Sequence, residues 1–261
     1  MVNQDPRSKR IGEARHGGRI ARSKRRARPD PLAFVRENTR LLPVPSLPEI
    51  RLHTAHEATG LWRLADVDAG GDPPAPYWAF PWAGGMALAR HLLDHPETVA
   101  GLRILDLGSG SGLVAIAAMK AGARGATAVE IDPYAIAAIA LNAAANDVAV
   151  TVQGDDITAG PAPAVDLVAV GDLFYERDLA DRVTAFLDRC LAAGVAVLIG
   201  DPWRAYLPHG RVQLIAEYSV PDVGEVENAA TKLSGVFALG PATPDQSRRK
   251  SVTDDRARPP A

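Results

Sequence analysis

The segment Asp106-Leu-Gly108-Ser109-Gly110-Ser-Gly112 constrains this chain more than any other. It follows a short β-rich run, Arg103–Leu107, and opens an apolar helical pattern, Leu113–Ala121. Glycines between a strand and a helix allow a sharp turn and a close backbone approach to a ligand beyond the strand end.

The pattern around the turn is repeated downstream. Apolar runs at Thr127–Ile131, Val148–Val152, Asp166–Val170 and Val195–Ile199 alternate with helical segments at Pro133–Ala145 and Glu176–Ala193 and a short connection over 154–165. Two more runs, Val212–Tyr218 and Leu233–Leu239, are joined through Pro221-Asp222 and Gly224 with no helix between them, which predicts an antiparallel closing strand. The expectation is an α/β fold: a Rossmann-like, seven-stranded, mostly parallel sheet with an antiparallel last strand and helices on both faces. Upstream, Phe34–Leu42 reads as one amphipathic helix, Glu49–Leu52 and Leu61–Leu64 as short strands, and Gly84–Leu93 as a helix. Pro76-Tyr-Trp78-Ala-Phe-Pro-Trp82 places four aromatics just before that helix, in a chain only 5% aromatic.

The formal net charge of −2 conceals a division. Residues 1–30 carry ten Lys and Arg against three acids, and 241–261 carry five against three. Residues 31–240 carry 14 against 25, a net of −11. The expected organisation is a basic, disordered arm over 1–30, one domain over 31–240 with an aromatic lead-in over 31–95, and a disordered tail over 241–261. An acidic body disfavours nucleic acid as substrate. No apolar run is long enough for a membrane span. The single Cys190 fits a reducing compartment, hence the cytoplasm, or the mitochondrial matrix if the Arg-rich start is a transit peptide. No metal is expected: His95 precedes Pro96, so His91 and His95 do not share a helix, and Cys190 reads as packing.

The ligand follows from what the turn rejects. A pyrophosphate at the helix N-terminus would be repelled by Asp106, and Leu113 stands where a dinucleotide fingerprint has its last glycine. S-adenosylmethionine carries an ammonium and a sulfonium and no phosphate, so an acid beside the turn suits it, directly or through water. Glu130 ends the second strand, where an acid can accept both ribose hydroxyls. Asp132-Pro133 reads as a helix cap. Asp155-Asp156 follow the third strand within reach of an adenine amino group, with either as the contact. Together these form a class I methyltransferase pattern. Asp172 ends the fourth strand, facing the delivery point of a methyl group or capping the next helix, while Asp166 at the far end reads as structural.

Asp172-x-x-Tyr175 resembles the D-x-x-Y motif of the seven-β-strand protein lysine methyltransferases. Pro76–Gly85, Gly200-Asp-Pro202, Arg36-Glu-Asn-Thr-Arg40 and the glycine loop resemble the branch that acts on the electron transfer flavoprotein β subunit, from about Phe34 to Leu239. The resemblance implies S-adenosylmethionine-dependent methylation of lysines on a folded protein. It implies that Asp106, Gly108, Gly110, Gly112, Glu130 and Asp155 hold the cofactor, with Ser109 and Asp156 beside them. Trp82 and Gly85 line the cofactor or methyl channel. Asp172 and Tyr175 are the catalytic pair that positions the lysine, with Trp78, Phe174 and Glu176 as substrate contacts. Trp203 departs from the pattern, standing where a smaller residue, often glycine, is expected. The alternatives are methylation of a ribosomal protein (L7/L12 or L11-like), a small-molecule N-methyltransferase, and a binding module that retains the cofactor.

Overall fold

The computed structural model describes residues 29–55, 76–221 and 231–241. The basic arm up to residue 28, the strand expected at Leu61–Leu64, the tail beyond 241 and the Asp222–Gly224 connection lie outside the described residues. Among the described residues, nine strands and five α-helices follow in order. They are α1 (Pro31–Asn38), β1 (Arg40–Val44), β2 (Leu47–Thr54), α2 (Ala83–Asp94), β3 (Arg103–Leu107), α3 (Leu113–Lys120) and β4 (Gly125–Val129). After these come α4 (Pro133–Ala145), β5 (Thr151–Gln153), β6 (Leu167–Gly171), α5 (Arg177–Ala192), β7 (Ala196–Asp201), β8 (Val212–Pro221) and β9 (Thr231–Leu239).

Seven strands form one sheet in the order β5-β4-β3-β6-β7-β9-β8. Strands β3 to β7 pair in parallel, and β9 alone runs against both of its neighbours. The chain leaves β3 toward β4 and β5 on one side and returns to β6 on the other. That reversal opens a crevice at the strands' carboxyl ends.

Alternation along the strands builds the two faces. Leu105, Leu107, Val168, Val170, Val197, Ile199 and Phe237 pack against Val183, Phe186 and Leu187 of α5. Their sequence neighbours Ile104, Leu167, Ala169, Leu198 and Val236 pack against Leu88 and Leu92 of α2 and Val114 of α3. Both faces are covered, which is why these strands are near-continuously apolar.

Two expected elements moved. The helix over Phe34–Leu42 ends at Asn38, because Thr39 Oγ1 turns back to donate to Val35 O, and Arg40–Val44 becomes the first strand of a hairpin. The strand expected at Val148 starts at Thr151, because the Val148 N–H donates to Ala143 O in the turn closing α4. The hairpin is held by two buried amides, Asn142 on α4 and Asn146 at its C-cap. Asn146 accepts from Arg51 N (3.0 Å) and donates to Arg51 O (2.6 Å), a strand-like pair of bonds. Asn142 accepts from His53 N and donates to Ser111 O in the glycine loop.

Candidate active site

A cleft of about 510 Å³ opens at the carboxyl ends of β3, β4, β5 and β6, within the usual size of a small-molecule site. Its floor is Leu107, Gly108 and Gly110, one wall is Glu130–Asp132 and Asp155–Thr158, and the other is Gly171–Leu173 with Tyr175 and Arg204. Tyr77, Trp78 and Trp82 cover it. An adjoining recess of about 60 Å³ runs beneath the cover, past Trp82, Gly85 and Asp106.

The glycine loop forms because Gly108, Gly110 and Gly112 all take positive φ, which side chains rarely adopt. At Gly108 a Cβ would also lie 2.6 Å from Leu173 Cδ2. Asp106 lies fully buried under the loop, where its Oδ2 accepts from Ser109 Oγ (2.5 Å) and Ala115 N (3.1 Å). Burial pushes its carboxyl up to about 6, with Ser109 and Ala115 opposing that rise. Glu130 faces the loop: Oε2 accepts from Gly110 N, and Oε1 from Ile131 N and Asp132 N.

At the other wall Asp172 sits at φ +59 with its N–H donating to Gly200 O. Its Oδ2 accepts from Gly85 N (2.8 Å), with Gly84 N also donating to the carboxylate. Its Oδ1 accepts from Arg204 Nε (3.2 Å) and Nη2 (2.8 Å). Burial nevertheless holds this carboxyl above the usual range. Tyr175 stands half-exposed beside it, its ring 5.9 Å from that of Tyr77, and burial raises its hydroxyl. It therefore remains a donor at neutral pH.

The closeness of α2 to the sheet explains how this wall is assembled. Gly84 and Gly200 pack backbone to backbone: a Cβ on Gly200 would lie 2.2 Å from Gly84 O. That contact brings the first N–H groups of α2 onto Asp172.

Comparison with known proteins adds the lineage. Residues 88–170 match a family model described as ribosomal protein L11 methyltransferase (PrmA). The chain is 38% identical over 217 residues to the rat electron transfer flavoprotein beta subunit lysine methyltransferase, covering 80% of this chain and 84% of that one. It is 39% identical over 223 residues to the human protein of the same name, covering 82% and 83%. The chain belongs to this lysine methyltransferase family.

As a member of the electron transfer flavoprotein β-subunit lysine methyltransferases it uses S-adenosylmethionine, and its cleft fits that molecule. Glycine backbone, a carboxylate at the end of β4 and the apolar side chains of Leu107, Ile131 and Ile157 converge there, and the two arginines of the lining, Arg182 and Arg204, are paired with Asp156 and Asp172. Such a lining suits a cationic sulfonium nucleoside better than a phosphate.

The structure sorts the expected site residues. Gly108, Gly110, Glu130, Asp155, Asp156, Asp172 and Tyr175 meet at the cleft, and Trp82 and Gly85 line the recess. Asp106 does not reach the main cleft; it and Ser109 bond to each other and brace the loop. Gly112 lies at neither cavity and donates its N–H to Ser109 O at the start of α3. Glu130 already accepts from three backbone donors, so of roughly four acceptor positions one remains for a hydroxyl rather than two. Asp156 is engaged by Thr158 and Arg182, while Asp155 faces the cleft.

Of the three expected substrate contacts, Phe174 is corrected. Phe174 is completely buried in the α5-side core, two residues past the left-handed Asp172, while its neighbours Leu173 and Tyr175 line the cleft. Trp78 is 3% exposed, packs against Val35 and Ala138, and lines the cleft. Glu176 is exposed at the N-cap of α5 and lines neither cavity. That also removes Asp172 from the cap position. Trp203 stands at φ +63, which is the physical reason for the expected glycine; its ring stacks on His209 and meets Phe237 edge-on at 4.7 Å. Arg204, at the cleft, and Asn142, which braces the glycine loop through Ser111 O, are residues that no motif indicated. One is an arginine two residues past Gly200-Asp-Pro202, and the other an asparagine in an otherwise apolar helix.

Proposed function

We propose that this protein transfers methyl groups from S-adenosylmethionine to lysine side chains of the electron transfer flavoprotein β subunit. The observation that carries the proposal is the coverage of the relatives. Those named for that substrate match about four-fifths of the chain. The L11-type family model matches only residues 88–170, about a third of the chain, which carries the glycine loop and β3 to β6, and a ribosomal protein L11 methyltransferase matches 43% of it.

When bound, S-adenosylmethionine supplies a methyl group activated by its positive sulfur. The chain's own residues orient the two partners and exclude water, which removes most of the entropic cost of an in-line displacement. Gly108 and Gly110 offer backbone to the cofactor, Glu130 one hydroxyl contact, Asp155 the adenine amino group, and Ile131 and Ile157 its faces. Tyr77, Trp82, Asp172 and Tyr175 enclose the acceptor end. A lysine with an ordinary pKa near ~10.4 arrives as an ammonium and must lose a proton to water before its lone pair can attack. The aromatic cover favours that loss by desolvation.

The partner is a protein rather than a nucleic acid, consistent with the net −11 of residues 31–240. Among the described residues no helix is long and apolar enough to cross a membrane. We place the enzyme in the cytoplasm, or in the matrix if the first residues are a transit sequence.

The test incubates the purified enzyme with labelled S-adenosylmethionine and, separately, recombinant flavoprotein β subunit, ribosomal protein L11 and a small-molecule extract, mapping labelled residues by mass spectrometry. Label on β-subunit lysines is the expected result. Label on L11, on small molecules only, or nowhere refutes the proposal.

A further inference from the structure

We propose that Asn142 is a positioning residue that couples the two halves of the cleft. It ties the glycine loop on the cofactor side to the hairpin that is bonded to the aromatic cover, so that filling the donor half sets the acceptor half. The inference rests on the placement of S-adenosylmethionine at the glycine loop proposed above, not on which lysine receives the methyl group.

Asn142 is an amide in an otherwise apolar helix, α4, and none of its surface reaches solvent. An amide placed there costs free energy unless both of its ends are bonded. They are, and to two different parts of the molecule. Nδ2 donates to Ser111 O at 2.8 Å, and Oδ1 accepts from His53 N at 2.7 Å. Ser111 lies between Gly110 and Gly112, both at positive φ. Ala115, whose N–H stands in the helical position to reach Ser111 O, gives it to Asp106 Oδ2 instead. The loop therefore takes that bond from outside, from a side chain that also holds the hairpin.

From His53 the connection reaches the acceptor side through the end of the hairpin. Ala55 N donates to Ala79 O at 2.9 Å, in the helical turn Tyr77–Ala79 of the cover. Trp82 Nε1 then donates to Tyr77 O at 2.7 Å, which fixes to that turn two rings that line the cleft, Tyr77 and Trp82. Cover and loop also meet directly, since Trp78 Cα lies 3.8 Å from where a Cβ on Gly110 would stand. Trp78 packs on Ala138, one turn before Asn142. Groups packed this closely transmit a displacement rather than absorb it.

Cofactor bound on the loop restricts Ser111, and through Asn142 it restricts residues 53–55 and the cover above the acceptor. Coupling is reciprocal: an ordered cover strengthens the hold on the cofactor by the same factor. Asn146 supplies the comparison. It lies one turn further on, is buried, and both accepts from Arg51 N and donates to Arg51 O on the same hairpin. It also donates to Asn142 O, within the end of the helix. Both amides hold the hairpin, and Asn142 is the one that joins it to the glycine loop.

The experiment compares wild type, Asn142→Leu and Asn146→Leu, since leucine is close to asparagine in shape and removes the bonds without leaving a large cavity. Melting temperature, calorimetric affinity for S-adenosylmethionine, and amide exchange by NMR with and without saturating cofactor are read on each. Residues 47–55 line neither cavity, so a cofactor effect on their exchange reports the connection and not direct shielding. In wild type, cofactor should slow exchange at His53 and Ala55 by a larger factor than in β8, which a general gain in stability would slow equally. Asn142→Leu should bind S-adenosylmethionine about tenfold more weakly, the size expected when a buried acceptor loses its donor, and should lose the extra slowing. Asn146→Leu should lower the melting temperature as much or more, yet keep both the cofactor affinity and the extra slowing. Unchanged affinity in Asn142→Leu, or equal weakening in both variants, overturns the proposal. If Asn142→Leu does not melt cooperatively, the wild-type exchange decides: extra slowing at His53 and Ala55 supports the coupling, and slowing no larger than in β8 refutes it. A wild type that binds no S-adenosylmethionine overturns the cofactor placement and this inference with it, whereas failure to label β-subunit lysines overturns only the substrate reading.

Discussion

Gly200→Ala isolates the contact on which the acceptor wall depends. The added methyl lies 2.2 Å from Gly84 O, 2.7 Å from Leu88 Cβ and 3.0 Å from the Gly84 carbonyl carbon. Two of these neighbours are backbone and cannot rotate away, so α2 must retreat from β7 by about 1 Å to restore ordinary contact. Overpacking of this kind typically costs ~1–3 kcal/mol, and a rigid backbone neighbour places this case at the upper end. For a protein of this size ~3 kcal/mol corresponds to a fall in Tm of about 6–12 °C. The retreat also lengthens the bonds from Gly84 and Gly85 to Asp172, so turnover should fall further than stability alone explains. The control is Gly125→Ala, in β4 with nothing within 4 Å of the new methyl, which should melt within about 1 kcal/mol of wild type. Differential scanning calorimetry and turnover under saturating cofactor at 20 °C measure the two effects. A Gly200→Ala variant melting within 2 °C of wild type, or a Gly125→Ala variant falling equally far, refutes the reasoning.

Trp203→Ala loses the stacking on His209 and Phe237 but keeps the left-handed strain, whereas Trp203→Gly loses both; urea unfolding should find the glycine variant more stable than the alanine by ~1 kcal/mol. The reverse order would mean that the backbone there is not strained. Burial pushes Asp201 up to about 6 from 3.8, so its contribution to stability is complete below pH ~4 and is lost as pH rises through 6. Asp201→Asn should therefore raise Tm by about 3–8 °C at pH 8 and by little at pH 4.5; equal shifts at both pH values would contradict the assignment. Asn146→Leu strands the Arg51 N–H and C=O, each costing ~1–3 kcal/mol, and should increase hydrogen exchange across Leu47–Thr54 before the rest of the sheet; uniform exchange would show that the amide is not what docks the hairpin.

What could be read from residue order was whatever rested on periodicity or on positive φ. Alternating apolar residues at 104–107, 167–170 and 197–199 determine the sheet because both faces are covered by helices. Val148 defeats the same reasoning: it is apolar and β-branched, yet a helix-closing bond takes its N–H first. At the site, Asp172, Glu130 and the glycines could be placed because strand ends converge by topology. Direction could not be placed. Phe174 and Tyr175 are adjacent in sequence, but one is fully buried in the core and the other half-exposed at the cleft. Asp106 carries the expected charge in the expected position, and its partners, Ser109 Oγ and Ala115 N, become visible only when the loop is closed. Arg204 lies 32 residues from the carboxylate it pairs with, and Asn142 reaches Ser111 across 31; neither separation has a local signature.

The position of β9 governs the order in which the molecule can be finished. Strand β8 is made first but touches the sheet only through β9, which lies between it and β7. Until Leu239 has emerged from the ribosome, β7 has a bare edge and β8 no place to dock. Phe237 is missing from the core, and Val236 from the layer beneath α2. The α2–β7 contact itself joins residues made earlier, Gly84 and Gly200, but the layers on both faces of β7 are filled only when β9 brings Val236 and Phe237. A nascent chain stopped short of β9 thus carries every expected site residue on a sheet whose last edge is still open.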